Sequence, residues 1–310
     1  MKILVTGGAG FIGSHVTDLL TNQGYSVEVL DDLSSGLREN VPQSVKLHVT
    51  DIQSPVAASL MKKNRYQVLV HHAAQMDVRR SVEDPAFDVR VNILGLINLM
   101  EAGRENGLRK VIFASTGGAI YGEPEAGPQP ESHIQQPVSP YGISKLTCEK
   151  LLHFYSHEYG IPYVALRYGN VYGPRQNSHG EAGVIAIFTE RLLSGQPTTI
   201  HGDGRQTRDY VFVDDVARAN FAALNFHQES TAFNIGTGIE TDVVTLHHRL
   251  QQATGVKKSA AHGPQKSGEQ RRSVLDCTKA AEYLAWKPKV SLDEGLRWTA
   301  EWFIARKNSS

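Results

Sequence analysis

Residues 2–15 read Lys2-Ile3-Leu4-Val5-Thr6-Gly7-Gly8-Ala9-Gly10-Phe11-Ile12-Gly13-Ser14-His15. An apolar run comes first, glycines follow at every third position, and a helical pattern begins at Gly10. Glycine permits a tight turn and lets backbone N–H groups approach a pyrophosphate, and the start of a helix adds a favourable partial charge. Because this turn stands between a predicted strand and a predicted helix, it predicts a dinucleotide-binding fold rather than a turn without a ligand.

The strand and helix of that turn begin a regular alternation along the first half of the chain. The predicted strands are Lys2–Thr6, Ser26–Asp31, Val45–His48, Val68–His72, Lys110–Ala114 and Tyr163–Arg167. The predicted helices are Gly10–Gln23, Ser54–Lys63, Ala86–Asn106 and Ser139–Tyr159. This order predicts an α/β fold, a Rossmann-type doubly wound parallel sheet with helices on both faces.

The alternation breaks after Arg167, where residues typical of loops accumulate through positions 169–182. Further predicted helices are Val184–Ser194, Asp242–Thr254 and Leu292–Ala305, and further predicted strands are Thr198–His201, Tyr210–Val213 and Ala232–Ile235. We expect residues 1–168 to form a cofactor-binding domain, to which a segment at about 209–235 returns. We expect residues 169–310 to form a smaller, interleaved α/β lobe that binds the substrate.

The composition narrows the class of protein. The 310 residues include 32 basic and 32 acidic side chains, a formal net charge of +0, so neither nucleic acid nor an anionic membrane is an expected partner. No apolar run reaches the roughly 18 residues of a membrane span, and residues 2–5 read as a strand rather than as a signal peptide. Two cysteines, far apart and without metal-ligand spacing, favour a cytoplasmic protein with neither a disulfide framework nor a metal site.

A tyrosine and a lysine stand four residues apart in Tyr141-Gly142-Ile143-Ser144-Lys145. On a helix this spacing places both side chains on one face. An ammonium beside a phenol favours the phenolate, so we expect Lys145 to lower the pKa of Tyr141 from roughly 10 toward neutrality. Tyr141 would then serve as a general base, although a solvated helix surface shows the same spacing when it stands alone.

Acidic residues end the second predicted strand. Asp31 and Asp32 would accept hydrogen bonds from the adenosine ribose and repel a 2′-phosphate, which favours NAD over NADP; a simple turn at the strand end is the alternative. After the third strand, Asp51 and Ile52 would flank the adenine. After the fourth strand, small residues let the backbone lie close to the cofactor, in His72-Ala73-Ala74.

Further motifs follow in order along the chain. They are Asn92, Ser139-Pro140-Tyr141-Gly142-Ile143-Ser144-Lys145, Arg167-Tyr168-Gly169-Asn170-Val171-Tyr172-Gly173-Pro174, Gly202-Asp203-Gly204 and Arg208-Asp209-Tyr210-Val211-Phe212-Val213-Asp214-Asp215-Val216-Ala217. Together with residues 5–15 and 72–74, they resemble the extended short-chain dehydrogenase/reductase family, in its nucleotide-sugar branch. The resemblance spans nearly the whole chain, so it bears on fold, cofactor and substrate together.

The resemblance implies an NAD-dependent epimerisation of a UDP-sugar at C4, between UDP-glucose and UDP-galactose, through a transient 4-keto sugar. Tyr141 would take the proton of the 4-hydroxyl as C4 gives a hydride to NAD, and Lys145 would hold the cofactor ribose. The keto sugar would turn about its UDP anchor and take the hydride back on its other face, so NAD is retained. A homodimer joined through the helices at Ala86–Asn106 and Ser139–Tyr159 is also implied.

The resemblance also assigns residues to the two ligands. The implied cofactor-binding residues are Gly7, Gly10, Phe11, Ile12, Gly13, Asp31, Asp32, Ser35, Gly36, Asp51, Ile52, His72, Ala73, Ala74, Gln75, Asn92, Tyr141, Lys145, Tyr168 and Val171. The implied substrate-binding residues are Gln75, Gly117, Gly118, Tyr141, Asn170, Gly183, Val184, Ile200, His201, Arg208, Tyr210 and Glu269. Among them, Asn170 and Arg208 would contact the diphosphate; taken alone, Arg208 and Asp209 also fit a surface ion pair.

One segment departs from the family pattern, Ser115-Thr116-Gly117-Gly118-Ala119-Ile120. Members place a Ser or Thr hydroxyl four residues before the tyrosine of a Tyr-Gly pair, where this chain has Gly117 before Tyr121. We favour Thr116 as the replacing hydroxyl, with Ser115 or water as alternatives. Sugar 4,6-dehydratases carry an Asp-Glu pair where this chain has Gly118 and Ala119. Elimination is therefore not expected, which leaves epimerisation or a simple ketoreduction.

The diphosphate site departs from the family pattern as well. Lys266 lies in a segment where members of the resembled family commonly have an arginine that contacts the diphosphate. A lysine supplies the positive charge but cannot form the paired hydrogen bonds of a guanidinium. Arg271 or Arg272 would compensate.

The identity of the sugar stays open between several alternatives. Ser273 is a small residue at a position that controls tolerance of an N-acetyl group, which keeps UDP-N-acetylglucosamine as an alternative. Arg79 and Arg80 could approach the C6 carboxylate of a sugar, which leaves UDP-glucuronate as a further alternative, or they could be surface charges. A nucleotide-sugar 4-ketoreductase and a non-catalytic dinucleotide sensor are further alternatives; the acids after the second strand argue against the first, and the Tyr-Lys pair argues against the second.

Overall fold

The structure is a computed structural model that describes residues 1–123, 127–178, 183–265 and 270–309. Its strands are β1 (Lys2–Thr6), β2 (Ser26–Asp31), β3 (Lys46–Val49), β4 (Val68–His71), β5 (Lys110–Thr116), β6 (Tyr163–Tyr168), β7 (Asn170–Tyr172), β8 (Thr199–His201), β9 (Thr207–Phe212), β10 (Thr231–Ile235), β11 (Glu240–Asp242) and β12 (Ala261–Gly263). Its helices are α1 (Phe11–Asn22), α2 (Pro55–Asn64), α3 (Val78–Glu83), α4 (Pro85–Val89), α5 (Gly95–Arg104), α6 (Gly117–Ile120), α7 (Pro140–Tyr159), α8 (Val184–Leu193), α9 (Val213–Leu224), α10 (Val243–Thr254), α11 (Thr278–Tyr283) and α12 (Leu292–Ser309). Short turns of 3₁₀ and π-helix lie at Arg38–Asn40 and Arg90–Leu94.

Seven strands form the main sheet, in the order β10-β6-β5-β4-β1-β2-β3. Every neighbouring pair in it is parallel. The strand order changes direction between β1 and β4, and right-handed crossovers on either side of that point place helices on both faces. The predicted α/β fold with a Rossmann-type, doubly wound parallel sheet is confirmed.

Side chains of β1 alternate between the two faces of the main sheet, as a pleated strand requires. Ile3 and Val5 lie in a core that includes residues of α1 and α9, and Leu4 lies in a core that includes residues of α2, α5 and α7. All three side chains are fully buried. Burial of apolar side chains on both faces therefore stabilises the layered arrangement.

The second half of the chain adds two small sheets, β11-β9-β7 and β12-β8. These sheets share a core with α8, α10 and α12, which includes Tyr172, Leu246 and Leu296. We call this part of the chain the smaller lobe. Phe11 and Ile12 of the glycine turn pack against its core. The start of α1 therefore lies where the main sheet meets the smaller lobe.

The structure differs from the predicted elements in two regions. The predicted helix Ala86–Asn106 is divided into α4 and α5 by the π-helical turn, because Asn92 in that turn bonds through its side chain to the loop after β4. The predicted strand Tyr210–Val213 is β9, and it pairs within the smaller lobe rather than with the main sheet. From the same returning segment, β10 forms the edge of the main sheet and α9 packs in its core.

The helices were also searched for a membrane span. None in the described part of the chain is both long enough and apolar enough to cross a membrane.

Candidate active site

The carboxyl ends of the central strands meet at one edge of the main sheet. Thr6 of β1 stands beside His71 of β4, and Thr116 of β5 stands beside Tyr168 of β6. Parallel α/β sheets bind ligands at this edge, next to the point where the strand order changes direction. The loops that follow these strands carry most of the residues that the sequence predicts for the site.

The glycine turn forms a cradle with no room for side chains. Gly7 has a φ of +68°, and a Cβ there would lie 2.6 Å from the backbone nitrogen of Ala73. A Cβ on Gly13 would lie 2.1 Å from the carbonyl oxygen of Gly7. Gly10 precedes α1, where the structure has neither a side-chain cap nor an acidic residue in the first turn. The helix N-terminus therefore keeps its positive partial charge and fits a bound pyrophosphate.

Asp31 braces this cradle from the end of β2. Its carboxylate is buried and accepts hydrogen bonds from the backbone N–H groups of Ala9 and Leu33, each at 2.9 Å. Burial raises the pKa of Asp31, and these two bonds oppose the rise. Gly36 packs against the same carboxylate, since a Cβ there would lie 2.8 Å from its Oδ1.

Its neighbour Asp32 is exposed. It accepts bonds from the backbone and side chain of Ser34, and the adjacent Ser35 is also exposed. Thus the buried acid faces the glycine turn, and the exposed acid shapes the loop after β2.

The adenine residues of the sequence prediction separate in the structure. Asp51 is exposed and accepts a bond of 2.8 Å from the backbone of Gln53. Ile52 is buried in the core and packs against Gly95, where an added Cβ would lie 2.5 Å from its Cδ1. Asp51 therefore faces solvent, while Ile52 mainly supports the loop from below.

An amide network holds the loop after β4. The backbone N–H of Gln75 donates to Asn92 Oδ1 at 2.9 Å, and Asn92 Nδ2 donates back to the carbonyl of Gln75 at 3.0 Å. Both side-chain amides also donate to Asp88 Oδ2, each at 3.1 Å. The network fixes Gln75, which follows Ala73 and Ala74, and it fully buries the carboxylate of Asp88.

The predicted tyrosine and lysine lie on α7, whose N-terminus is capped by Ser139. Lys145 is buried, and its ammonium donates to the carbonyl of Ala114 at 2.8 Å. The same nitrogen lies 5.8 Å from the centre of the Tyr141 ring and 4.8 Å from that of Phe113. Burial lowers the pKa of Lys145 to about 8. The two side chains share one side of α7, as the spacing predicts.

The expected lowering of the Tyr141 pKa is wrong for the protein without ligands. Burial, and then the negative charge of Asp88, raise the pKa of Tyr141, while a hydrogen bond with Thr116 lowers it. The Lys145 ammonium is directed to a carbonyl of β5 instead, so it does not offset the loss of water around the phenol. These surroundings therefore favour the protonated form of Tyr141.

The two candidate hydroxyls beside Gly117 have different partners. Ser115 donates to Glu149 at 2.5 Å inside the sheet, where Glu149 also forms a buried ion pair with Arg167 at 2.6 Å. Thr116 accepts from the backbone N–H of Ala119 at 3.2 Å and bonds to Tyr141. Thr116 is therefore the hydroxyl that reaches the phenol, whereas Ser115 belongs to the support beneath it.

Gly118 lies next to side chains of two later segments of the chain. A Cβ there would lie 3.8 Å from Asn170 Oδ1 and 3.8 Å from Ser273 Oγ, both ordinary contact distances. Gly117 differs, because a Cβ there would lie 2.5 Å from Leu275 Cδ1. Asn170, at the start of β7, is exposed. The structure therefore brings Gly118, Asn170 and Ser273 together.

Several of the implied substrate-binding residues lie on strands of the smaller lobe, Ile200 and His201 on β8 and Arg208 on β9. Ile200 is buried in the core of that lobe beneath Gly204, while His201 is partly exposed and bonds to the carbonyl of Pro264 at 3.1 Å. Arg208 is partly exposed and donates to the carbonyl of Thr207 at 2.8 Å. Only part of this set offers polar atoms at the surface.

Tyr210 is mostly buried, and α8 begins at Val184 with Gly183 before it. Asp209 forms no ion pair with Arg208. It is buried and accepts bonds from backbone N–H groups of Thr237, Gly238 and Leu275.

The compensating arginines are already paired. Arg271 bonds to Asp203 at 2.9 Å and Arg272 bonds to Glu240 at 3.1 Å, all with exposed or partly exposed side chains. Glu269 and Lys266 lie outside the described residues.

A known family accounts for this combination of motifs and geometry. The sequence pattern of the NAD dependent epimerase/dehydratase family matches residues 3–236. The chain belongs to this family. The recognised resemblance to the extended short-chain dehydrogenase/reductases is thereby confirmed.

Relatives within the NAD dependent epimerase/dehydratase family match the chain over nearly its whole length. The UDP-glucose 4-epimerase of Mycolicibacterium smegmatis is 44% identical over 308 residues, covering 98% of both chains. The UDP-glucose 4-epimerase of Thermotoga maritima, solved with UDP-glucose, is 49% identical with a TM-score of 0.95 and covers 100% of both chains. The Thermus thermophilus UDP-glucose 4-epimerase, solved with NAD, is 45% identical with a TM-score of 0.93, covering 98% of this chain and 99% of that chain.

The residues of this family member fit the NAD that the family uses. The glycine cradle is free of side chains at the start of α1. The ring nitrogen Nδ1 of His72 is buried without a hydrogen-bond partner among the described residues, as expected of an atom that faces a ligand. Within the same described ranges, no cluster of His, Cys, Asp and Glu side chains could hold a metal ion.

The structure adds a side-chain contact to one predicted residue of the site, His72, and adds one polar group that the sequence prediction missed, Asp88. The side chain of His72 bonds to Tyr168, although the sequence suggested only a close backbone at this position. Asp88 joins Gln75 and Asn92 and influences Tyr141. Its spacing of four residues before Asn92 was the available signal, since residues four apart on a helix share a face.

Proposed function

We propose that the protein is an NAD-dependent UDP-glucose 4-epimerase that interconverts UDP-glucose and UDP-galactose. The observation that carries this proposal is the Tyr141–Thr116 hydrogen bond next to a segment without carboxyl groups, Gly118-Ala119. Dehydratases of the resembled family carry a carboxyl group in this segment to move the proton on C5, and Gly118 and Ala119 supply none. The chemistry left to Tyr141 is proton transfer at the 4-hydroxyl, as epimerisation requires.

Tyr141 holds the proton that moves in this proposal. It takes the proton from the 4-hydroxyl of one hexose and returns it to the 4-oxygen of the other. Bound NAD would supply a reversible acceptor for the C4 hydride, and its positive charge would favour the phenolate of Tyr141. Thr116 supports the phenolate by its hydrogen bond, and Lys145 adds a nearby positive charge.

The smaller lobe holds the nucleotide in this proposal, and residues 1–168 with the returning segment hold the cofactor. Asn170 is exposed at the start of β7, close to Gly118, and supports a diphosphate site between the two parts of the chain. Arg208 and His201 lie on β9 and β8 of the smaller lobe and have partly exposed side chains. Such an anchor leaves the keto sugar free to turn at the other end.

The decisive assay mixes purified protein with UDP-galactose and no added cofactor, and follows UDP-glucose by chromatography. Conversion is expected with the wild-type protein and not with Tyr141→Phe. A protein that converts no UDP-galactose even after NAD is added would refute the proposal. A 4-keto-6-deoxy product would refute it as well, because that product requires elimination.

A second candidate substrate is UDP-N-acetylglucosamine, which Ser273 favours. Its small, buried side chain lies within contact distance of a Cβ built on Gly118, close to Asn170. Ser273→Tyr should remove conversion of the N-acetylated sugar and keep that of UDP-galactose. Equal loss of both conversions would contradict a selective role for Ser273.

We also propose that the protein is a cytoplasmic homodimer. Apolar side chains are exposed on the helices that the resemblance assigns to the dimer: Val89, Leu94, Ile143 and Phe154. Cys148 and Cys277 are unpaired, which suits a reducing compartment. Light scattering should give twice the mass of the chain, and Leu94→Asp should shift it toward the monomer. A wild-type monomer at micromolar concentration would refute this part.

A further inference from the structure

His72 stands directly after β4, between the glycine turn and the Tyr141–Lys145 pair. Its backbone N–H donates to the carbonyl of Thr6 at 3.0 Å, and its carbonyl carbon would lie 2.8 Å from a Cβ on Gly7. In the sheet, β4 lies between β1, which carries the glycine turn, and β5, which carries Thr116. The main chain therefore holds His72 between the glycine turn and the strand that carries Thr116.

The ring of His72 makes one hydrogen bond through one of its two nitrogens. Nε2 lies 3.2 Å from the hydroxyl oxygen of Tyr168, and the two rings are inclined by 15° with centres 6.2 Å apart. Nδ1 is buried and has no hydrogen-bond partner in the described part of the chain. One side of the ring is thus fixed by protein, and the other side faces no acceptor or donor among the residues that the structure describes.

Asn220 determines which nitrogen of His72 carries the proton. Asn220 Nδ2 donates to the carbonyl of Val216 at 2.9 Å, which identifies that atom as the amide nitrogen, and it donates to the Tyr168 hydroxyl at 2.8 Å. Having accepted this bond, the Tyr168 hydroxyl keeps one proton to donate, and His72 Nε2 is the acceptor beside it. The proton of the neutral imidazole is then on Nδ1.

Two further observations keep the His72 ring neutral and the Tyr168 hydroxyl protonated. Burial, and then the charge of Lys145, lower the pKa of His72 to about 3. Burial also raises the pKa of Tyr168. His72 Nδ1–H is therefore a buried donor without a protein acceptor, and such a donor costs free energy unless a ligand accepts from it.

We propose that His72 Nδ1–H donates a hydrogen bond to an oxygen of the nicotinamide half of bound NAD, with Tyr168 and Asn220 selecting the tautomer. This inference rests on the proposed function only in taking NAD as the ligand. The nicotinamide half is favoured over the adenine half because His72 lies on the side of β1 that faces Thr116 and Lys145, whereas Asp31 lies on the opposite side.

The first test reads the tautomer directly by NMR of protein labelled with ¹⁵N-histidine, from which the retained cofactor has been removed. The signals of His72 are assigned by their loss in His72→Asn. We expect a neutral ring protonated on Nδ1 between pH 6 and 9, and a changed Nδ1 signal with NAD but not with ADP, which lacks the nicotinamide half. An Nε2-protonated ring, or equal changes with both ligands, would overturn the proposal.

The second test measures the dissociation constant of NAD by calorimetry in a set of His72 variants. The amide nitrogen of Asn can occupy the place of Nδ1, and that of Gln the place of Nε2. We expect His72→Asn to stay within about threefold of wild type, and His72→Gln and His72→Phe to bind about tenfold more weakly. Wild-type affinity in His72→Phe, or recovery by Gln rather than Asn, would contradict the assigned donor.

A third variant tests the role of the tautomer. Tyr168→Phe removes the hydroxyl that selects it, so NAD affinity should fall in the wild-type background and not further in His72→Phe. Additive losses in the double variant would refute the coupling. Should the wild-type protein convert no UDP-galactose while this pattern of NAD affinities holds, the proposed function fails and the role of His72 stands.

Discussion

The catalytic edge of the main sheet and the nucleotide side of the smaller lobe handle their polar groups differently. At the sheet edge, Lys145 is buried and donates to the carbonyl of Ala114 at 2.8 Å, and Tyr141 is hydrogen-bonded to Thr116. In the smaller lobe, Arg271 and Arg272 are held by acids at the surface. Preorganised groups act without first breaking bonds, whereas paired surface groups must exchange partners to bind a ligand.

This difference assigns the chemical step and the recognition of the nucleotide to two regions of the molecule. The proton and hydride transfers are assigned to the edge of the main sheet. Recognition of the nucleotide is assigned to the smaller lobe, whose charged contacts are exposed. Substitutions at the sheet edge should therefore change the rate of the chemical step or the binding of the cofactor. Substitutions in the smaller lobe should mostly change the apparent affinity for the UDP-sugar.

The largest expected effect follows from removing the phenol of the catalytic edge. Tyr141→Phe should lower kcat about 10³-fold, because the proton of the 4-hydroxyl then has no base, and NAD content should be unchanged. Steady-state kinetics and the absorbance of retained cofactor measure both. Tyr155→Phe on the same helix is the control, since its hydroxyl bonds to Glu101 outside the site. Comparable losses in both variants would indicate damage to α7 rather than loss of a base.

A methyl group added to the glycine turn should weaken the binding of NAD without changing the binding of the UDP-sugar. Gly13→Ala places a Cβ 2.1 Å from Gly7 O, so the turn must shift, and NAD affinity should fall about 10²-fold. Gly118→Ala is the matched comparison, because its Cβ has ordinary contacts of 3.8 Å. It should keep NAD affinity and raise KM for UDP-galactose. Calorimetry with NAD and initial rates separate the two. Weaker NAD binding in Gly118→Ala would break the comparison.

Substitution of Asp88 tests whether this buried carboxylate influences the pKa of Tyr141. Besides burial, the Asp88 charge raises the pKa of Tyr141, so Asp88→Asn should move the acidic limb of kcat/KM to lower pH. The sign follows because a base works when deprotonated, and a lower pKa deprotonates it at lower pH. The side-chain amides of Gln75 and Asn92 both donate to Asp88, and an amide in its place would be a poorer acceptor for them. Asp88→Asn should therefore also lower the free energy of unfolding by about 1–3 kcal/mol. The pH profile and denaturant unfolding measure the two effects. An unchanged limb would remove Asp88 from the electrostatics of Tyr141.

The smallest effect is expected in the smaller lobe. The Arg271–Asp203 pair is exposed, with side-chain exposures of 54% and 47%, so Arg271→Gln should change stability by less than about 1 kcal/mol. KM for UDP-galactose should rise no more than about threefold with kcat unchanged, and Asp203→Asn serves as the control for the lost pair. A tenfold rise in KM for Arg271→Gln alone would show that this arginine exchanges Asp203 for the diphosphate.

The main sheet was predictable because its signals are local. Apolar runs such as Ile3–Val5 and the glycines after them specify strand, turn and helix over a short span. The choice between Ser115 and Thr116 was not predictable, since neighbouring residues on a strand face opposite ways and Glu149 on a distant helix binds the first of them. The pKa of Tyr141 depends on burial by several elements, which no spacing reveals. The three-residue strands β7, β11 and β12 are too short to leave a periodic pattern.

The late position of β10 in the chain has a consequence for synthesis on the ribosome. Strand β6 is complete at Tyr168, but its outer neighbour spans Thr231–Ile235, and α9, which covers one face of the sheet, spans Val213–Leu224. Until those residues emerge, the nascent sheet has an open edge and an uncovered apolar face, the features that recruit chaperones and promote aggregation. Expression of residues 1–168 alone would therefore yield an insoluble fragment, although those residues contain the glycine turn and both members of the tyrosine–lysine pair.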